Sequence, residues 1–177
     1  MTSACESGPS AWVQSHAGLV APGGRILDLA AGGGRHARYF KGLGYKITAL
    51  DRDVSGLRDL ADTGAEVIAA DLEDGSPWPL GTRAFDGIVV TNYLHRPLFP
   101  HLADALAAGG VLIYETFGVG NERFGRPSNP DFLLRPGELL AFAATQSLQV
   151  LAYACGEVAE PKRAITQRMV ARRLPSM

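Results

Sequence analysis

The stretch Arg25-Ile26-Leu27-Asp28-Leu29-Ala30-Ala31-Gly32-Gly33-Gly34-Arg35-His36 decides the fold. Its first six residues are mostly apolar and read as a short buried strand. Three glycines then make a sharp turn. Residues 35–43 read as a helix, closed by Gly44. Strand, glycine turn and helix together open a parallel-sheet unit. Glycines in that turn let the backbone come close to a ligand, because no Cβ stands in the way. The helix N-terminus beside it offers unpaired N–H groups.

The same alternation continues outward. Residues 46–50 form a second strand ending at Asp51, and residues 66–70 a third ending at Asp71. A fourth strand covers 85–91 and a fifth 111–116. Helices are expected over 10–20, capped by Ser10, and from Asp53 or Ser55 to about Gly64. Two more are expected over 97–107, ended by Gly109-Gly110, and over 136–146, with Pro136 in the first turn. Residues 73–83 hold two glycines and two prolines and read as a loop. Residues 118–135 are polar and glycine-rich, too long for a plain connector, and read as a lid. The last β-rich runs, 148–158 and 164–174, are joined by residues 159–163. So short a link holds no parallel crossover, so this pair is antiparallel. The expectation is one α/β domain over 1–177, with helical crossovers and a closing hairpin.

Composition narrows the function classes. The chain has 177 residues, within the roughly 100–200 that make one domain. A chain of about 150 residues already hides close to 70% of its unfolded surface. Seventeen basic against eighteen acidic residues leave no overall positive field, so nucleic acid is not an expected partner. Lys162, Arg163, Arg168, Arg172 and Arg173 read as the solvated face of the last strand. Cys5 and Cys155 make neither a disulfide framework nor a metal site. Cys155 sits in an apolar run and reads as a small buried residue. That cysteine usage suits the cytoplasm. No apolar run approaches the roughly 18 residues of a membrane span, and no secretion signal is read at the start.

Asp28, Asp51 and Asp71 fall at the carboxyl ends of neighbouring strands, the edge where open α/β sheets bind ligands. Two cofactors compete for that edge. Gly32-Gly33-Gly34-Arg35-His36-Ala37 satisfies G-x-G-x-x-A, a nicotinamide-dinucleotide fingerprint, and Arg52 could meet a 2′-phosphate. That reading makes the protein an NAD(P)-dependent oxidoreductase. Asp28 argues the other way. A carboxylate beside the turn repels a pyrophosphate and suits S-adenosylmethionine, which carries an ammonium and a sulfonium and no phosphate.

On these residues the chain resembles a class I S-adenosylmethionine-dependent methyltransferase over nearly its whole length. That family's motif is Asp-x-Gly-x-Gly-x-Gly. Asp28, Gly32 and Gly34 match it, and Ala30 replaces the first glycine. The resemblance implies a Rossmann-like three-layer sandwich with a mostly parallel seven-strand sheet and an antiparallel C-terminal hairpin. It implies that Asp51 holds the ribose and that Asp71 with Leu72 holds the adenine. Thr91 and Asn92 then face the methyl end. Gly33-Gly34-Arg35-His36 and the run from Pro130 to Glu138 also resemble small bacterial methyltransferases grouped with tellurite-resistance enzymes, which implies a small acceptor.

Methyl transfer from a sulfonium is a direct displacement, so the protein mainly aligns the acceptor and excludes water. After the fourth strand the chain reads Thr91-Asn92-Tyr93-Leu94-His95-Arg96-Pro97, without the paired prolines of amino-methylating enzymes. His95 is either a general base or a cap for the next helix. Tyr93 either lines the pocket or packs on the lid. Glu115, a charge inside a strand, either faces the acceptor or pairs with an arginine. Arg123, Arg126 and Arg135 either hold an anionic acceptor or stay in water. Arg35 and His36 could reach the cofactor carboxylate, while His16 and His101 read as helix-surface residues. No histidines or cysteines show metal-ligand spacing. A catalytically silent cofactor-binding partner is the non-enzymatic alternative. Oligomeric state is not legible.

Overall fold

A computed structural model describes residues 8–175. Seven strands form one sheet in the order β3-β2-β1-β4-β5-β7-β6. The strands are β1 (Arg25–Leu29), β2 (Lys46–Asp51), β3 (Glu66–Ala69), β4 (Phe85–Thr91), β5 (Leu106–Phe117), β6 (Leu148–Val158) and β7 (Ala164–Arg173). The first five run parallel, and β7 lies antiparallel between β5 and β6. This is the sheet expected from the sequence. Cys5 lies outside the described residues.

Side-chain alternation splits the core into two faces. Ile26, Ile47, Val89, Ile113 and Val170 face helices α1 (Ala11–His16), α2 (Arg35–Gly42) and α3 (Arg58–Asp62), meeting Val13, Phe40 and Leu60. Leu27, Leu50, Ile88, Leu112 and Met169 face α4 (Phe99–Asp104) and α5 (Glu138–Thr145), meeting Leu102, Leu139 and Phe142. Layers of helix, sheet and helix result.

Several expectations shift in detail. Ser10 caps α1, its hydroxyl accepting the Trp12 N–H at 3.1 Å. The helix then tightens into a 3-10 turn, Ala17–Leu19. Helix α4 stops at Asp104, before Gly109-Gly110, and β5 begins at Leu106 with an irregular first stretch. Gly110 is needed there for another reason. A Cβ would stand 2.8 Å from the carbonyl oxygens of Ala107 and Phe85. Pro136 precedes α5, and Gly137 at φ +75° starts that helix. Cys155 is exposed on the edge strand β6, so it is not the buried residue its apolar setting suggested. Nor is the basic cluster all solvated. Arg173 Nη1 donates to the carbonyls of Ala103, Asp104 and Leu106, at 3.1, 2.9 and 3.0 Å, where α4 runs into β5. Arg168 lies over the Trp12 ring.

The glycine turn has a strict steric logic. Gly34 sits at φ +77°, and a Cβ there would meet Leu57 Cδ2 at 2.6 Å and Leu60 Cδ1 at 2.9 Å. Gly32 sits at φ +53° with nothing within 4 Å of its would-be Cβ. Gly34→Ala should therefore cost roughly 2–4 kcal/mol, from left-handed strain plus overpacking. Gly32→Ala should cost only about 1 kcal/mol. Urea unfolding of both variants checks this, and equal losses would refute the assignment of Gly34 as a packing position.

Candidate functional site

Two cavities open at the carboxyl ends of the central strands, and they share a wall. The larger, about 270 Å³, is lined by Ala30 after β1, Asp51 and Arg52 at the end of β2, and Ala70, Asp71, Leu72 and Glu73 after β3. The smaller, about 230 Å³, is lined by Asn92 and Leu94 after β4, by Thr116 and Phe117 of β5, and by Pro127. Glu73, Tyr93 and Phe132 line both.

Carboxylates build the floor of the larger cavity. The turn stays in place because Ala31 N–H reaches the Leu50 carbonyl at 3.0 Å and Gly34 N–H reaches that of Ala31 at 2.8 Å. Asp51 Oδ2 accepts the Gly32 N–H at 2.8 Å, and its Oδ1 accepts the Asp53 N–H at 2.9 Å. Asp28 is 1% exposed and accepts the Ala37 N–H of α2 at 2.9 Å. Burial pushes its carboxyl up to about 7, against the pull of the Ala37 bond and the Arg35 charge. Of the turn's amides, Gly32 is thus taken by the Asp51 carboxylate, and Ala31 and Gly34 are taken by backbone carbonyls.

Of the residues expected to hold a cofactor, Ala30, Asp51, Arg52, Asp71 and Leu72 line the larger cavity, and Asn92 lines the smaller. Gly32 leaves open space beside it. Asp28, Gly32, Gly34 and Thr91 do not line either cavity; strand alternation puts Asp28 on the α2 side of β1. Thr91 Oγ1 lies 3.4 Å from His36 Nδ1. His36 is 2% exposed, and its Nε2 accepts the Ser10 N–H at 3.1 Å. It ties α1 to α2 and lines neither cavity. Burial, with the Arg35 charge, lowers its pKa to about 4, so it is neutral. Arg35 Nη1 reaches the Gly8 carbonyl at 3.4 Å.

The expected catalytic set separates. Tyr93 lines both cavities, and burial beside the Glu73 charge raises its hydroxyl pKa above the usual range. His95 lines neither cavity, and its side chain does not cap the following 3-10 turn, Arg96–Leu98. Glu115 points to the opposite face of β5 from Thr116. Its carboxylate accepts the Ser10 hydroxyl, and it has no arginine ion-pair partner among the described residues. His101 is exposed and stacks on Trp78, while His16 contacts the Trp12 carbonyl.

The 118–135 segment is anchored at its base. Val119 N–H bonds the Leu134 carbonyl, and Leu134 N–H bonds that of Phe117, both at 2.9 Å. Asn121, buried, gives its amide to the Pro127 carbonyl at 3.0 Å and accepts the Ile165 N–H at 3.1 Å. Arg96, which sequence reasoning passed over, clamps the far arm. It forks onto Glu138 at 2.5 and 3.0 Å and donates to the carbonyls of Asp131 and Leu133. No spacing pattern in the sequence links Arg96 to Glu138. Arg123, Arg126 and Arg135 line neither cavity. Among the described residues, no three His, Cys, Asp or Glu side chains gather as metal ligands would.

Two predictions follow from the turn. Ala30 adopts φ +54° with a side chain, so Ala30→Gly should stabilise the fold by up to about 1 kcal/mol. A clearly lowered melting temperature would contradict that strain. The second concerns pH. Asp28 is raised from 3.8 to about 7, so its contribution is present below pH 3.8 and is lost as pH rises towards 7. His36 is lowered from 6.5 to about 4, so its contribution is present above pH 6.5 and is lost as pH falls towards 4. The two slopes oppose each other in that window. Asp28→Asn removes one, so its stability should fall more steeply on acidification from pH 6.5 to 4 than the parent's. Parallel unfolding curves would count against it.

Comparison with known proteins accords with this geometry. No family model matches the chain. The protein-L-isoaspartate O-methyltransferase of Chlorobaculum tepidum is 32% identical over 108 residues, which are 58% of this chain and 49% of that protein. The chain thus spans about half the length of this curated relative. TehB from Haemophilus influenzae superposes with a TM-score of 0.75 at 19% identity, over 93% of this chain and 62% of that one. An S-adenosylmethionine-dependent methyltransferase from Methanosarcina mazei gives 0.71 at 15% identity, over 96% and 100%. The Burkholderia thailandensis 1,6-didemethyltoxoflavin-N1-methyltransferase, bound to that compound and S-adenosylhomocysteine, gives 0.68 at 19% identity, over 93% and 77%. The chain therefore has the class I S-adenosylmethionine-dependent methyltransferase fold.

Proposed function

We propose that the protein transfers a methyl group from S-adenosylmethionine to a small-molecule acceptor. The cofactor occupies the larger cavity and the acceptor the smaller. One observation carries this reading: the Gly32 amide, which a dinucleotide fold offers to pyrophosphate, is already held by Asp51. Asp51, Asp71 and Glu73 put three carboxylates in the same cavity, against the single cation of Arg52. A pyrophosphate loses both its donor and its electrostatic welcome there. A cationic, phosphate-free cofactor fits that donor set, which argues against the NAD(P)-dependent alternative.

In this reading Asp51 accepts from the ribose hydroxyls, and Asp71 with Leu72 holds the adenine. Asp28 holds the turn from behind, through the Ala37 amide. The cofactor supplies an electrophilic methyl on sulfur. The protein's own part is alignment and exclusion of water: Tyr93 and Phe132 form the partition, and the Arg96 clamp holds the segment carrying Phe132. The toxoflavin enzyme's small heterocyclic ligand supports a small acceptor. The chain is read as one methyltransferase domain with no nucleic-acid partner, acting in the cytoplasm. No described helix is long and apolar enough to cross a membrane.

Calorimetry with S-adenosylhomocysteine and NADPH tests the reading. Binding of the first and not the second is expected, and the reverse overturns it. Asp51→Asn should weaken S-adenosylhomocysteine about 10- to 100-fold, through lost hydrogen bonds to a charged acceptor. An unchanged Kd would move the ribose elsewhere. Tight cofactor binding with no transfer to any acceptor would return the silent-partner alternative.

A further inference from the structure

The smaller cavity has a chemical character of its own. Three aromatic rings line it: Tyr93, Phe117 and Phe132. Its one ionisable carboxylate is Glu73, and its other polar side chains besides the Tyr93 hydroxyl are the neutral Asn92 and Thr116. No lysine, arginine or histidine lines it. At about 230 Å³ it falls below the roughly 300–1,000 Å³ of pockets for drug-sized ligands. Aromatic faces and a carboxylate attract cations and repel anions.

From this cavity, and resting on the methyl-transfer reading above, we infer that the acceptor is a small amine, recognised as its cation by Glu73 and the aromatic wall. Glu73 lines both cavities, and that position matters for the reaction. The bound ammonium first loses a proton to solvent, where Glu73 is exposed. The freed nitrogen lone pair then forms a bond to the methyl carbon. The carbon–sulfur bond breaks, and its electron pair stays on sulfur, which becomes a neutral thioether. Positive charge thus leaves sulfur on one side of the wall and arrives on nitrogen on the other. A carboxylate in the shared wall faces the charge at both ends of its path. An anionic acceptor would have to enter against that same carboxylate, with no cationic side chain in the cavity lining to receive it.

Three probes with one ring and different heads test this: 2-phenylethylamine, 2-phenylethanol and phenylacetate. Each is titrated calorimetrically into the protein saturated with S-adenosylhomocysteine, and each is assayed with S-adenosylmethionine for methylated product. The amine should bind at least tenfold tighter than the alcohol, with phenylacetate weakest, and the amine alone should be methylated. Glu73→Gln is exposed and should fold normally. It should erase the amine's advantage over the alcohol, both measured at saturating S-adenosylhomocysteine. Phenylacetate binding as well as the amine, or a selectivity unmoved in Glu73→Gln, overturns the inference. So does methylation confined to oxygen or carboxylate heads, which would leave the methyl-transfer reading standing. Failure to bind S-adenosylhomocysteine overturns both.

Discussion

A buried carboxylate, Asp28, holds the first strand to the second helix through one hydrogen bond to the Ala37 amide. Everything at the site depends on that tie. It fixes the direction in which α2 leaves the sheet, and so it fixes the turn between Ala30 and Gly34. The turn in turn places the Gly32 amide against Asp51 and Gly34 against Leu57 and Leu60 of the next crossover. An ionised carboxylate at such a depth is costly, which is why burial raises Asp28 to about 7. The strain is compounded at Ala30, whose left-handed backbone would suit glycine better. The turn is thus a place where local cost is accepted for the geometry it creates.

Alternation along β5 then decides which polar group serves which compartment. Thr116 turns toward the smaller cavity, and Glu115, one residue earlier, turns to the face of α1. There the Glu115 carboxylate meets Ser10, whose own amide meets the neutral His36. The result is a tie between the N-terminal helix and the sheet, built from residues whose chemistry looks catalytic in one dimension. A period of two along a strand separates neighbours by the full thickness of the sheet, so adjacency in sequence says nothing about adjacency in the site.

This explains what could and could not be read beforehand. Strand runs rich in Val, Ile and Leu, glycines at positive φ and the short 159–163 link are local signals, and they sufficed for the seven strands and the antiparallel hairpin. Ala30, Asp51, Arg52, Asp71, Leu72 and Asn92 were legible as cavity-lining residues because parallel strands carry their ends to one edge. His36, Glu115 and His95 line neither cavity, because a side chain's place depends on face and depth, which a motif does not encode. Cys155 went wrong for a related reason: its apolar run belongs to an edge strand, whose outer side meets water. Arg96 was missed because its partners, Asp131, Leu133 and Glu138, lie 35 or more residues away in sequence.

The Arg96 clamp also bears on how the two compartments stay distinct. Phe132 is part of the partition, yet its ring remains substantially exposed. Two kinds of contact hold its segment: the bidentate Arg96–Glu138 pair with the Arg96 bonds to the Asp131 and Leu133 carbonyls, and the burial of the neighbouring Leu133 and Leu134. A half-buried bidentate pair is directional as well as attractive, so it fixes the backbone on either side of Phe132 and leaves the ring itself free to adjust. A partition made this way suits a reaction in which one small group crosses and water must not. Rigid support lies outside the wall, and the surface that meets the ligands is aromatic.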